Sequence, residues 1–312
     1  MKTIKLLGFS AALAVLLAAG DASAAGLVMN ATDLPAKARA DLAQEIARAK
    51  TDVPELVKEV REVAAHAREL DASSRLPGAP LTMPLKALGP RAFGPMIELL
   101  AFDAPAVRDL PGTAATALRL GLIEAVGIIR DARAIPVFAL LLDRATDFDT
   151  MRASAEGLAR IGTDDAVAVL SSAAQKARGT ERERAILSGM HDCRREAAAK
   201  LLASRLDAAD IDDATARIVV KSLGGVGNAW AWKTLPSQAE QAATRAAAAR
   251  ALVRAYVRFG SSEVREAAAK ALLVVDDPST TTLVAEAKRT ANGDALAALG
   301  ALEKRLAKNP TH

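Results

Sequence analysis

The chain has 312 residues, with 41 Lys and Arg against 37 Asp and Glu and a formal charge of +4. That near-neutral balance lacks the concentrated basic surplus of a dedicated nucleic-acid binder. One cysteine, Cys193, excludes an intramolecular disulfide, and an aromatic content of 3% beside abundant alanine favours helices over strands.

Lys2 and Lys5 precede an uncharged apolar run from Leu6 to Gly20, and Ala22-Ser23-Ala24 follows with a small-x-small pattern. This predicts a secretory signal peptide over residues 1–24, cleavage after Ala24 and a periplasmic or secreted product. The apolar run falls short of the roughly 20 residues that a spanning helix needs. No cysteine lies near the cleavage point to carry a lipid anchor. No later stretch reads as long and uncharged enough to span a bilayer. Cleavage would remove Lys2, Lys5 and Asp21, leaving 39 basic and 36 acidic residues, a charge of +3.

Beyond residue 24 the sequence reads as helix after helix. A first helix is expected over Leu34 to Lys50, with Asp33 as N-cap and Pro35 in the first turn. Asp52 with Glu55 three residues on resembles a capping box for a second helix. Along it Leu56, Val57, Val60, Val63, Ala64, Ala67 and Leu70 recur at three- and four-residue intervals as one apolar stripe. Glu59, Glu62, His66 and Glu69 take the other face. These helices form an N-terminal hairpin, 25–71. Residues 72–83, with Ser73, Ser74, Pro77, Gly78 and Pro80, read as a linker.

A pattern then repeats with a shift of 32 residues. Ile123 lies over Ala155, Glu124 over Glu156, Val126 over Leu158, Ile129 over Ile161, Ile135 over Val167 and Phe138 over Leu170. A third copy runs through Val264 to Val275, breaks at Asp277-Pro278 and continues at Leu283-Val284. Weaker copies lie at 181–206, with a break near Asp192, and at 213–236, with a break at Gly224 to Asn228. Two helices per period mark a solenoid, because one hairpin cannot hide both of its apolar stripes while a stack shares one core. The expected fold is all-α, a right-handed α-solenoid of about six hairpins over 84–292, closed by a capping helix and tail over 293–312. The Asp, Asn and Gly residues at the breaks are read as helix caps. Acidic pairs such as Asp164-Asp165, Asp212-Asp213 and Asp276-Asp277 belong with them.

The stretch Arg152-x-x-Ala155-x-x-Leu158-x-x-Ile161-Gly162, followed by Asp164-x-Ala166-Val167-x-x-Leu170, resembles the bacterial HEAT repeat, including the form shared with phycobilisome-lyase repeats. Ile129-Arg130-Asp131-x-x-Ala134-Ile135-Pro136 and Arg265-x-x-Ala268 repeat the theme. The resemblance covers roughly residues 85 to 292. It implies a scaffold or binding platform and defines no catalytic residues.

Candidate chemistry is sparse. His191 and Cys193 flank Asp192 and suggest an activated thiol or a partial metal site. Side chains two apart do not share a helix face, however, and no further ligands stand nearby in sequence. The plainer reading is a helix end with a small buried cysteine. Gly224-Gly225-x-Gly227 follows a helix, not a strand, and so reads as a flexible break instead of a dinucleotide fingerprint. Arg250, Arg254 and Arg258, spaced by four, form a basic stripe that suits a solvated face, an acidic partner or, less directly, a membrane surface. Trp230 and Trp232 fall on different helix faces, so at most one belongs fully to the core and the other is free to anchor an interface. The repeats and the missing catalytic set point to a non-enzymatic scaffold in the cell envelope that binds a protein or peptide partner, with these arginines and tryptophans as candidate contacts and with no metal and no cofactor. The alternative is a lyase-like, ligand-handling protein that uses Cys193.

Overall fold

A computed structural model describes residues 25–73, 80–104, 110–235 and 237–308. The signal-peptide segment 1–24 and the last four residues of the expected C-terminal tail, 309–312, lie outside the described residues, as does 74–79, the middle of the linker segment. The protein is all-α: no strand occurs among the described residues, and only an isolated bridge joins Ala25 to Asn30.

The N-terminal hairpin consists of α1 (Ala36–Asp52) and α2 (Pro54–Ala65), with α2 continued past a bend at His66 by α3 (Ala67–Ser73). Both expected caps differ from the structure. Asp33 lies in a 3-10 turn, where its carboxylate accepts the Asn30 amide at 3.0 Å and pairs with Arg144 at 2.8 Å. Asp52 is the last residue of α1. Val53 takes the N-cap position of α2 without a side-chain bond, because Pro54 fixes the first helical φ and has no amide hydrogen to cap. The apolar stripe faces inward as its spacing requires: Val57, Val60, Ala64 and Ala67 are buried while Glu59, Glu62, His66 and Glu69 are exposed.

Helix α4 (Thr82–Ala87) begins inside the expected linker, and Leu81 just before it is fully buried. Next comes α5 (Phe93–Ile97), which runs into a π-helical turn, Glu98–Phe102. The wider turn frees two carbonyls, and the segment after residue 25 docks on them. Leu27 donates to the Leu99 carbonyl at 2.8 Å and Val28 to that of Leu100 at 3.0 Å.

The regular hairpins follow. They are α6 (Gly112–Ile129) with α7 (Ile135–Arg144), α8 (Phe148–Ile161) with α9 (Asp164–Lys176), and α10 (Glu181–Gly189) with α11 (Glu196–Asp207). In the next one, α12 (Asp213–Val226) is followed by a short α13 (Ala229–Trp232), and its packing partner in the second layer is α14 (Gln241–Arg258). Helices α15 (Ser262–Val275) and α16 (Thr280–Thr290) form the last hairpin, and α17 (Gly293–Leu306) covers the end with Leu299, Leu302 and Leu306. One layer stacks α4, α6, α8, α10, α12 and α15 in succession. The other stacks α7, α9, α11, α14 and α16. The residues aligned by the 32-residue shift are equivalent in space: Ile123 and Ala155, Val126 and Leu158, and Phe138 and Leu170 are all buried. One continuous apolar core runs from Met29 to Leu306.

Capping residues start several of these helices as the breaks suggested. Asp147 accepts the Thr150 amide at 2.8 Å, Thr163 that of Ala166 at 3.3 Å and Asp212 that of Thr215 at 2.7 Å. Two readings are corrected. Gly224 and Gly225 are no break: they lie inside α12, which continues to Val226. They are glycines because helices cross there. A Cβ on Gly225 would stand 2.6 Å from the His191 carbonyl, and one on Gly224 would stand 2.9 Å from the Ala271 Cβ. Helix α6 is also long and apolar enough, by length and composition, to cross a membrane, although no later stretch was expected to be. In this structure it packs between α4 and α8, with 56% of its residues buried.

Replacing Gly225 with Ala should therefore cost about 1–3 kcal/mol of stability, the usual penalty for overpacking. Gly300 in α17 has open space where a Cβ would go, so Gly300→Ala should stabilise by about 0.5–1 kcal/mol through helix propensity. Urea unfolding of the two variants beside the parent chain checks both signs.

Candidate functional site

The connection between α12 and α14 is the longest interruption within the described hairpins, and it carries both tryptophans. Asn228 starts α13: its Oδ1 accepts the amides of Trp230 at 3.0 Å and Ala231 at 3.2 Å. Trp232 points inward, 2% exposed, and its Nε1–H donates to the Val226 carbonyl at 3.1 Å. Trp230 points outward and is 64% exposed, with the Lys233 ammonium 4.0 Å from its ring centroid. The far end of the connection is tied down as well. Glu240 accepts from the Arg195 guanidinium at 2.8 Å and from the Glu196 amide at 2.7 Å. The exposed indole thus stands on a segment plugged into the core at Trp232 and clamped to α11 at Glu240.

The arginine stripe on α14 is divided. Arg254 pairs with Asp207 at 2.7 Å, and Arg258 donates to the carbonyls of Leu206 and, at 2.8 Å, Ala208. Both close the C-terminal end of α11, where carbonyls lack helical partners and favour a cation. Their guanidiniums are therefore engaged inside the fold. Arg250 is exposed and makes no ion pair among the described residues.

Cys193 is fully buried, and burial pushes its thiol up to about 12. It is protonated at neutral pH and so is no nucleophile there. His191, in the 3-10 turn Met190–Asp192, instead faces Asp192 and Glu156, and ligand atoms of these three lie within 4.8 Å of one another. Glu156 was missed in sequence because it lies 35 residues upstream, on α8. The trio has the atoms for a metal ion, but its carboxylates are already held by guanidiniums. Glu156 accepts from Arg152 at 2.9 Å and also from Arg160, while Asp192 accepts from Arg160 at 2.9 Å and Arg194 at 3.3 Å. Arg152 also reaches Glu124 on α6 at 3.6 Å, and Glu124 accepts the Thr82 hydroxyl at 2.7 Å. The trio is one stretch of an ion ladder that crosses successive hairpins. A divalent cation there would have to displace three arginines.

The fold and these sites define an all-α stack of helical hairpins with a presented indole and an internal ion ladder. No protein-family model matches the chain, and no curated protein matches it at a significant level. Among solved structures it is similar to human deoxyhypusine hydroxylase in complex with glycerol, with 16% identity over 81% of this chain and 97% of that one, at a TM-score of 0.31. At that score nothing about ligand or activity transfers to this chain.

Burial pushes the Asp192 carboxyl up, but His191, Arg160 and Arg194 together outweigh it and hold the group below its ordinary 3.8. Its contribution to stability is complete above that value and is lost as pH falls toward and through the lower folded value. Asp192→Asn should cost about 1–3 kcal/mol at pH 7, because it leaves the largely buried Arg194 without its carboxylate. The variant should also lose less stability than the parent between pH 5 and pH 2. Thermal unfolding across that range compares the two slopes.

Proposed function

We propose that the chain is a non-enzymatic scaffold of the HEAT-repeat type, a right-handed solenoid that binds a protein or peptide partner in the bacterial cell envelope. The observation that carries this reading is Trp230. Most of the chain buries its large apolar side chains, yet this indole is left 64% exposed on a segment with two independent anchors. A rigid, exposed aromatic ring binds at little entropic cost, and tryptophan is enriched among residues that dominate interface energies. Lys233 places a cation over one face of the ring, which favours a partner surface that pairs an apolar pocket for the open face with an acidic group for the ammonium. The repeat motif at Arg152 to Leu170 and the signal-peptide pattern at 1–24 support the family and the compartment. The burial of Cys193 works against the lyase-like alternative, which needs that thiol within reach of a ligand.

A photo-crosslinking side chain placed at Trp230 in cells should trap one predominant partner, identified by mass spectrometry. With that partner purified, Trp230→Ala should weaken binding by about tenfold or more and leave stability within about 0.5 kcal/mol of the parent. Trp232→Ala, which removes the buried anchor, should cost about 3–5 kcal/mol of stability. Unchanged affinity in Trp230→Ala would remove the basis for this reading.

A further inference from the structure

A cleft of about 550 Å³ opens between the N-terminal hairpin and the first regular hairpin, bordered by α1, the turn before α5 and the end of α6. Part of its charge is neutralised internally. Arg133 donates to Asp131 and, at 2.6 Å, to Glu45, and Arg48 also pairs with Glu45. Arg91 and Arg130 line the same cleft, are exposed and make no ion pair among the described residues. Asp52 is an acidic group of the lining left in the same condition. Two guanidiniums against one carboxylate leave the cleft with a positive surplus.

Arg130 is also held in an unusual backbone conformation. It ends α6 at φ 62 and ψ 29, the left-handed region that side chains avoid. The equivalent position 32 residues on, at the end of α8, is Gly162 with φ 64 and ψ 17. Glycine is the residue this turn asks for. Helix α15 ends the same way with Asp276, a residue type that visits this region more readily. Attraction to the helix dipole does not account for the arginine, because a cation in the last right-handed turn achieves it, as Arg160 does in α8. The field at this edge extends further: burial holds Arg194 below its ordinary value, and repulsion from Arg130 adds to that lowering.

We propose that this cleft is an oxyanion site in which Arg130 and Arg91 together hold the carboxylate or phosphate group of a ligand. Guanidiniums present paired N–H donors that match both groups. The strained turn is retained because it aims Arg130 into the cleft. This inference is independent of the Trp230 reading and stands or falls separately.

The test uses the full chain titrated with inorganic phosphate and with malonate, against chloride at equal ionic strength. Binding is followed by calorimetry and by the NMR signals of the arginine Nε–H groups. At least one oxyanion should bind, and the tighter of the two distinguishes a phosphate from a carboxylate ligand. Affinity should fall about tenfold or more in Arg91→Ala and in Arg130→Gly, and less in Arg130→Lys, which keeps the charge but not the fork. Arg130→Gly should at the same time raise the melting temperature by about 2–4 °C, since it relieves the strained turn. Three results would each overturn the proposal: no response beyond that to chloride, undiminished binding in Arg130→Gly, or a lowered melting temperature in that variant. The last would show that Arg130 serves the fold.

Discussion

The structure depends on how closely the helices of its first layer approach one another. At each successive crossing a glycine stands where a Cβ would collide. Gly121 meets Leu81, Gly127 meets Gly157, Gly189 meets the backbone at Arg152 and Glu156, Gly225 meets His191 and Gly224 meets Ala271. Small contact residues bring helix axes together and leave little room for large side chains between them. This explains the composition. Alanine and glycine fill the crossings, and the few buried aromatic residues use the space this leaves: the Phe138 ring lies where a Cβ on Gly157 would go, and Trp232 plugs the connection after α12. A solenoid of this kind is stable only as a stack, since each hairpin hides its crossing face against the next.

Close crossings have a second consequence. They bring helix ends of adjacent hairpins together, and those ends carry unpaired carbonyls. Arginines supply the missing donors across the stack. Arg182 reaches the carbonyls of Leu142 and Ala145, Arg195 that of Gly162, Arg245 those of Val275 and Asp276, and Arg258 those of Leu206 and Ala208. Others pair with acidic groups one hairpin away, such as Arg160 with Asp192 and Arg178 with Asp210. Much of the positive charge in the sequence is therefore internal fastening. An arginine that takes no part in it, such as Arg91 or Arg130, differs in kind from one that does, such as Arg254.

This distinction marks the limit of what the sequence discloses. Helical periodicity and the 32-residue shift carry the all-α class, the hairpin layout and the parting of the two tryptophans between core and surface, though not which of them is buried, because burial imposes its period directly on residue order. Partners separated by a whole hairpin leave no such trace. Arg258 and Leu206 are 52 positions apart, and Glu156 and His191 are 35 apart, so the stripe reads as free surface and the ladder is invisible. The glycines of α12 mislead for a related reason. A glycine demanded by a neighbouring helix looks, in one dimension, like a glycine that ends its own. Asp52 misled through chemistry instead, since a capping-box pattern fails when proline occupies the next position but one.

Departures from the repeat are the informative places in such an array. A regular hairpin is explained by the need to stack, and its residues require nothing more. Two departures lack that explanation. Between α12 and α14 the short connection found elsewhere is replaced by a longer one, and its added residues bury one tryptophan in order to hold another in solvent. At the end of α6 the glycine demanded by the turn is replaced by an arginine that gains no ion pair among the described residues. The first adds packing at Trp232 but none at the exposed Trp230, and the second holds a side chain in a conformation that glycine adopts without strain. Stacking therefore accounts for Trp232, but it leaves the exposure of Trp230 and the choice of arginine at position 130 without a cause in the array itself.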